Sequence, residues 1–189
     1  MSGYCDSATG HPLHGPYHDH EYGFPSRDEA VLFERLLLEI NQAGLSWETM
    51  LRKRDGFRRA YAGFDVDTVA AYGDADRERL LNDAGIIRNR LKVDAAIHNA
   101  GVIQRLRASH GSFANWLDAQ LLLDGRPRDK TGWIKLFKQT FRFTGGEITN
   151  EFLMSLGYLP GTHRESCPVY ARIAALDPPW LRGSPDRTA

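Results

Sequence analysis

Two cysteines and two histidines are placed so that they could share one ion. His163 and Cys167 in "HRESC" are four residues apart, which puts them on one face of a helical turn. Cys5, the only other cysteine, lies near the opposite end of the chain with His18 thirteen residues behind it. Together they make a Cys2His2 set, and thiolate with imidazole suits zinc. An ion held by all four would close a loop of about 160 residues and fasten two ends that otherwise fray. Spacing alone leaves the plainer reading open, in which the cysteines are isolated and the histidines lie at the surface. His14 or His20 could also substitute as ligands, whereas His11, His98 and His110 form no comparable set.

Glu39 in "LLLEINQAGLSW" follows Leu36 by three residues and Leu32 by seven, so a carboxylate shares the apolar stripe of its helix. Burial and the negative end of the helix dipole would both raise its pKa. Such a group serves a bound donor or cation, or it caps a neighbouring element. Tyr17, Tyr22 and Trp47 cluster near it in sequence, and aromatic faces beside a carboxylate can hold a flat, electron-poor ring. Leu45, on the tight turn "AGLSW", is either a buried leucine or an apolar wedge of the kind inserted between DNA bases. In "LLNDAGIIRNRLK", Gly85 turns one helix into the next, with Arg88, Arg90 and Lys92 directly behind. Backbone amides at such a turn, flanked by cations, meet a DNA phosphate. "LRKRDGFRR" is a second basic stretch, or simply a solvated helix face.

The elements that must position these residues are nearly all helical, and the fold class expected is all-α. Ser26 with Glu29 forms a capping box before Leu32, Phe33, Leu36, Leu37 and Ile40. Gly44 suits the left-handed end of that helix, and Ser46 caps the next. Short helices follow in "DTVAAYG" and "ADRERLLNDAG", a long one runs through "IRNRLKVDAAIHNAGVIQRLRASHG", and Ser112 caps "FANWLDAQLL". "DGRPRDKTG" reads as a polar loop before helices in "WIKLFKQTF" and "EITNEFLMSLGYL". No sustained alternation supports a sheet, and the Pro-rich stretch after about residue 175 reads as irregular.

The chain of 189 residues suits one domain with a sizeable core. Lys plus Arg equal Asp plus Glu at 24 each, so nucleic-acid binding has to come from local patches. No apolar run is long enough for a membrane span, and the first residues carry no hydrophobic signal segment. A cytoplasmic setting is the expectation, where two cysteines favour metal ligation or burial over a disulfide.

Taken together, "YHDHEYGFP", "LLLEINQAGLSWETMLRKR", "FDVDTVA", "LLNDAGIIRNRLKVDAAIHNA" and "SLGYLPGTHRESC" resemble the DNA-3-methyladenine glycosylase I family. The likeness spans Cys5 to Cys167. It implies a compact helix-hairpin-helix glycosylase over residues 1–189, in which residues 1–25 and 160–189 pack together around one structural zinc held by Cys5, His18, His163 and Cys167. It also implies a monomer acting on double-stranded DNA with alkylated bases. The base is flipped and the N-glycosidic bond of 3-methyladenine hydrolysed. By the same likeness Glu39 is the catalytic, base-recognising carboxylate, with Tyr17 and Trp47 in the base pocket. Leu45, Gly85, Arg88, Arg90 and Lys92 face DNA. No lysine follows the hairpin turn closely enough to act as a Schiff-base nucleophile, which favours a monofunctional enzyme.

Two regions depart from the family pattern. Ser7 stands where the family has a tryptophan lining the pocket, and Glu147, Asn150 and Glu151 enrich a helix that is usually small and aromatic. Ser7 is accordingly expected at the base, with changed base specificity as one alternative. The other alternative is a zinc-stapled DNA-binding protein without excision activity, against which the retained Glu39, Tyr17 and Trp47 argue.

Overall fold

Helix α3 (Glu29–Gln42) runs through the core. Leu32 to Asn41 are all buried, so the helix is enclosed on every side and not only along its apolar stripe. Asp28 starts it, accepting from the amides of Ala30 and Val31. The cap therefore lies two residues beyond the expected Ser26, whose hydroxyl instead accepts from the Asp28 amide at 3.2 Å. A carboxylate at this end also complements the helix dipole, which a serine does not. Gly44 takes the left-handed conformation at φ 83°. Ser46 then caps α4 (Trp47–Ala60) by accepting from the Thr49 amide.

The computed structural model describes residues 3–182. Around α3 and α4 lie a 3-10 turn (Ala62–Phe64), α5 (Val66–Ala70), α6 (Asp74–Asn82), α7 (Arg90–His110), α8 (Phe113–Ala119), α9 (Lys130–Thr140) and α10 (Gly146–Ser155). Asn89 caps α7 and left-handed Gly111 ends it, while Ser112 caps α8 as expected. Phe113, Trp116, Phe137, Phe141 and Phe152 pack as a ring cluster, with centroids from 5.2 Å (Phe137 to Phe141) to 6.3 Å (Phe113 to Phe152) apart. The expected loop "DGRPRDKTG" holds a small hairpin instead. β1 (Leu122–Leu123) pairs antiparallel with β2 (Arg126–Pro127), and Asp124 and Gly125 turn it with φ of 52° and 75°. Strands of two residues are too short to alternate visibly in sequence, and the Asp-Gly dipeptide was the only signal.

The two ends of the described chain meet. α1 (Gly3–Ala8) and α2 (His14–His20) pack with α11 (Pro168–Ala174), where Cys5, Cys167, Val169 and Ile173 form a small core against Phe24. Arg164 pairs with Asp6, and Arg172 donates to the Asp19 carbonyl at 2.9 Å. At Gly23 (φ 89°) a side chain would stand 2.5 Å from Thr162 Oγ1. The stretch expected to be irregular contains α12 (Pro179–Arg182), whose Trp180 amide donates to the Gly157 carbonyl at 3.0 Å. Proline at a first helical turn is compatible with a helix, so a Pro-rich composition did not exclude one. Residues 183–189 of that stretch lie outside the described residues. No helix of the described residues is long and apolar enough to cross a membrane.

Candidate active site

A cavity of about 210 Å³ opens between the N-terminal segment and helices of the core. It is lined by Tyr4 from α1, Tyr17 from α2, Tyr22 just beyond it, Glu39 and Gln42 from α3, Trp47 from α4 and Glu151 from α10. Its walls are rings: Tyr17 stacks on Tyr22 at 5.6 Å and lies 5.0 Å from Trp47, while Tyr4 meets Tyr22 edge-on at 5.5 Å. Behind them the Arg35 guanidinium sits 4.7 Å over the Tyr17 ring. The volume is at the small end for ligand pockets and suits a single flat heterocycle.

Glu39 is buried and has no hydrogen-bond partner among the described residues. Burial pushes its carboxyl up to about 8, Glu151 adds to the rise, and Arg35 opposes it. Tyr17 Oη and Trp47 Nε1 are likewise buried without a partner. The cavity thus presents an unpaired acid, unpaired polar hydrogens and several aromatic faces. That combination binds a flat base bearing hydrogen-bond donors, and most strongly a cationic one.

A basic edge is formed at the turn between α6 and α7. The turn between α6 and α7 is pressed against α4, since a side chain at Gly56 would come within 2.3 Å of the Gly85 carbonyl oxygen. Lys53 Nζ donates to the Ala84 carbonyl at 2.7 Å and holds the turn there. Arg88 and Arg90 are exposed beyond it, as is Leu91. Leu45 is 43% exposed on its own turn and borders a groove that shares Glu39, Gln42 and Glu151 with the cavity.

Cys5, His18, His163 and Cys167 form a second buried cluster, with one donor atom of each lying within 4.8 Å of the others. His163 Nδ1 is 3.7 Å from both sulfurs, and Cys167 Sγ is 3.8 Å from His18 Nε2. Zn–S and Zn–N bonds of about 2.3 and 2.0–2.1 Å at tetrahedral angles require S to N separations of about 3.6 Å, so the donor set fits. The remaining ring nitrogens donate outward, His18 Nδ1 to Asp19 Oδ1 at 2.6 Å and His163 Nε2 to the Tyr22 carbonyl at 2.8 Å. Both imidazoles are thereby oriented with a bare nitrogen toward the thiols.

The sequence profile of methyladenine glycosylases matches residues 7–132. The chain belongs to the methyladenine glycosylase family. It is 42% identical over 180 residues to DNA-3-methyladenine glycosylase 1 of Escherichia coli K12, covering 88% of this chain and 96% of that protein. The 3-methyladenine DNA glycosylase I of Staphylococcus aureus superposes with a TM-score of 0.77 at 30% identity, over 88% of this chain and 95% of that one. A 3-methyladenine DNA glycosylase I variant solved in complex with 3-methyladenine gives 0.78 at 29% identity, covering 89% and 97%.

In this methyladenine glycosylase Glu39, Tyr17 and Trp47 converge on one cavity, whereas Ser7 stands apart from it. Ser7 is exposed and its hydroxyl donates to the Tyr4 carbonyl at 3.2 Å. The α1 residue that reaches the cavity is Tyr4, whose long side chain spans a gap that a serine cannot. Lys92 also departs from expectation, because it is buried and its ammonium donates to the carbonyls of Asn41 and Ala43 at 2.8 and 2.9 Å. It satisfies the open C-terminal end of α3 and is not available to a phosphate. Tyr4 and Gln42 were not expected at the site, whereas Tyr22 was expected among the aromatics near Glu39 and Glu151 only as an added carboxylate on its helix. Glu151 had one legible signal, a carboxylate next to Phe152 in a helix already enriched by Glu147 and Asn150.

Proposed function

We propose that the protein is a monofunctional DNA glycosylase that flips a cationic alkylated adenine, 3-methyladenine above all, into the Tyr4–Tyr17–Tyr22–Trp47 cavity and hydrolyses its bond to the sugar. One observation carries this reading: Glu39 is a buried, unpartnered carboxylate inside an aromatic cavity of single-base size. A base alkylated at a ring nitrogen is positively charged and already a good leaving group. The protein has mainly to hold that charge away from water and admit a nucleophilic water to the sugar. Trp47 and Tyr17 stack on the base. Glu39 gives up its proton as the cation arrives and then accepts hydrogen bonds from the base edge.

Around the cavity, Leu45 fills the space the flipped base vacates. The helix-hairpin-helix amides near Gly85, with Arg88 and Arg90, grip the phosphates of a double-stranded substrate. Cys5, His18, His163 and Cys167 hold one zinc ion, which joins the chain ends. With four protein ligands that zinc has no open position for a substrate and acts in folding. We expect a monomer working in the cytoplasm. The deciding experiment incubates the protein with methylated duplex DNA and separates the freed bases by chromatography. Release of 3-methyladenine without strand cleavage is expected, and the absence of any released base would overturn the reading. Tyr4 and Glu151 favour a second reading, a glycosylase of this kind with altered base preference.

A further inference from the structure

The cavity holds a second carboxylate, and its surroundings leave it facing the ligand. Tyr22 Oη donates to Glu151 Oε2 at 3.0 Å, and Asn150 Nδ2 lies 3.4 Å from Glu151 Oε1. Each carboxylate oxygen keeps a further acceptor position after those contacts. Glu151 lines both the cavity and the groove that leads from it past Leu45, together with Glu39 and Gln42. If its role were only to anchor Tyr22, a neutral amide would serve equally well.

We propose that Glu151 is a specificity-determining residue that contacts the flipped base, and that together with Glu39 it makes the cavity prefer cationic N-alkylated purines over neutral ones. The proposal rests on the base-excision reading above. Two carboxylates sharing a desolvated space cannot both ionise without cost, so the empty cavity keeps a proton on the pair. Around Glu39 stand Arg35 from its own helix, Glu151 from α10, and the phenols of Tyr17 and Tyr22. Only Arg35 among them is a fixed cation, and it is engaged with Glu21 at 2.6 Å. A cationic base supplies the missing positive charge and displaces the proton. A neutral base of the same shape leaves the repulsion in place. The discrimination therefore comes from charge count, whereas the aromatic walls select flatness alone.

The test uses two small probes that share a purine shape. One is 3,9-dimethyladeninium, whose charge is fixed because alkylation of both N3 and N9 leaves no ring N–H to lose, and the other is neutral 9-methyladenine. The full-length wild-type protein should bind the cation about 10- to 100-fold more tightly, the range expected for a charged hydrogen bond out of water. Glu151→Gln, which keeps an acceptor for Tyr22, should cut that ratio about tenfold through the cation alone, with neutral binding unchanged or improved. Tyr22→Phe, which only frees the carboxylate to turn, should give a smaller loss in the same direction. Cation affinity should also rise with pH through about 8 in the wild type. That midpoint should fall in Glu151→Gln, since one repelling charge is gone. An unchanged ratio, or equal loss of both probes, would show a purely structural Glu151 and sink the proposal. If the wild type released 3-methyladenine yet bound both probes equally, the excision reading would stand and this one would fall. If it bound neither probe and released no base, both would fall together.

Discussion

Helix α3 carries two buried glutamates, five residues apart, that live under opposite rules. Glu34 and Glu39 are equally inaccessible, each 4% exposed. Glu34 is bound by Arg54 at 2.7 Å, within a network in which Arg54 also grips Glu21 and Glu21 meets Arg35. Glu39, little more than one turn further on, has no hydrogen bond at all among the described residues. A buried charge with partners ties elements together, and here it joins α3, α4 and the segment after α2. A buried acid without partners costs folding energy, and it persists because something outside the chain completes it. The difference between the two is the difference between scaffold and site.

The sharpest way to break that comparison is to neutralise each glutamate in turn. Glu39→Gln should reduce excision of 3-methyladenine by about 100-fold or more, as expected when a preorganised charge opposite the reacting group is lost. The same change should make the protein more stable. The folded carboxyl, at about 8, lies above its ordinary value of 4.5, so the wild type loses stability as pH rises between those values. At pH 7 the gain from Gln is on the order of 3 kcal/mol, and it should shrink toward zero below about pH 5. Chemical denaturation of both proteins across that pH range checks the sign, and a destabilised Gln variant would place Glu39 in the scaffold. Glu34→Gln should behave in the opposite way. It leaves part of the Arg54 fork unpaired, and should cost about 2–3 kcal/mol of stability while excision per folded molecule holds.

Smaller effects are expected further from the pocket. Cys167→Ser should lower both zinc content, from about one ion per chain, and the melting temperature, because metal binding contributes directly to folding. Elemental analysis of the purified variant checks this, and full zinc occupancy would remove Cys167 from the donor set. Arg88→Ala with Arg90→Ala should weaken binding to undamaged duplex uniformly across sequences and reduce the salt dependence by about two counterions. Lys92→Met should leave that salt dependence alone and show itself in stability, which separates the exposed cations from the buried one.

Much of this was readable from residue types, and the failures have two causes. Ser46 and Ser112 cap the helices their positions suggest, and the apolar spacing of Leu32, Leu36 and Ile40 announces α3. Glu39, Tyr17 and Trp47 meet because one acid on an apolar stripe among aromatics is a strong local signal. Lys92 was misread because cations behind a turn suggest DNA. Yet it stands four residues before Ala96 and next to Val93, on the buried side of α7, and the helical period assigns it there. Ser7 was misplaced for a different reason. Reach decides which α1 side chain enters the cavity, and reach depends on how the chain ends meet, which sequence spacing does not encode. Glu151 shares that difficulty, since its neighbours Tyr22 and Glu39 lie more than a hundred residues away in the chain.

The bond from His163 to the Tyr22 carbonyl has a consequence for how the protein is made. Tyr4, Tyr17 and Tyr22 leave the ribosome early, while two of the groups that hold their segment, His163 on the Tyr22 carbonyl and Arg172 on the Asp19 carbonyl, come late. A prematurely ended chain therefore carries the three tyrosines without these two contacts. The wall around the acid is thus fastened from both ends of the chain, and truncation before residue 163 would loosen it on one side.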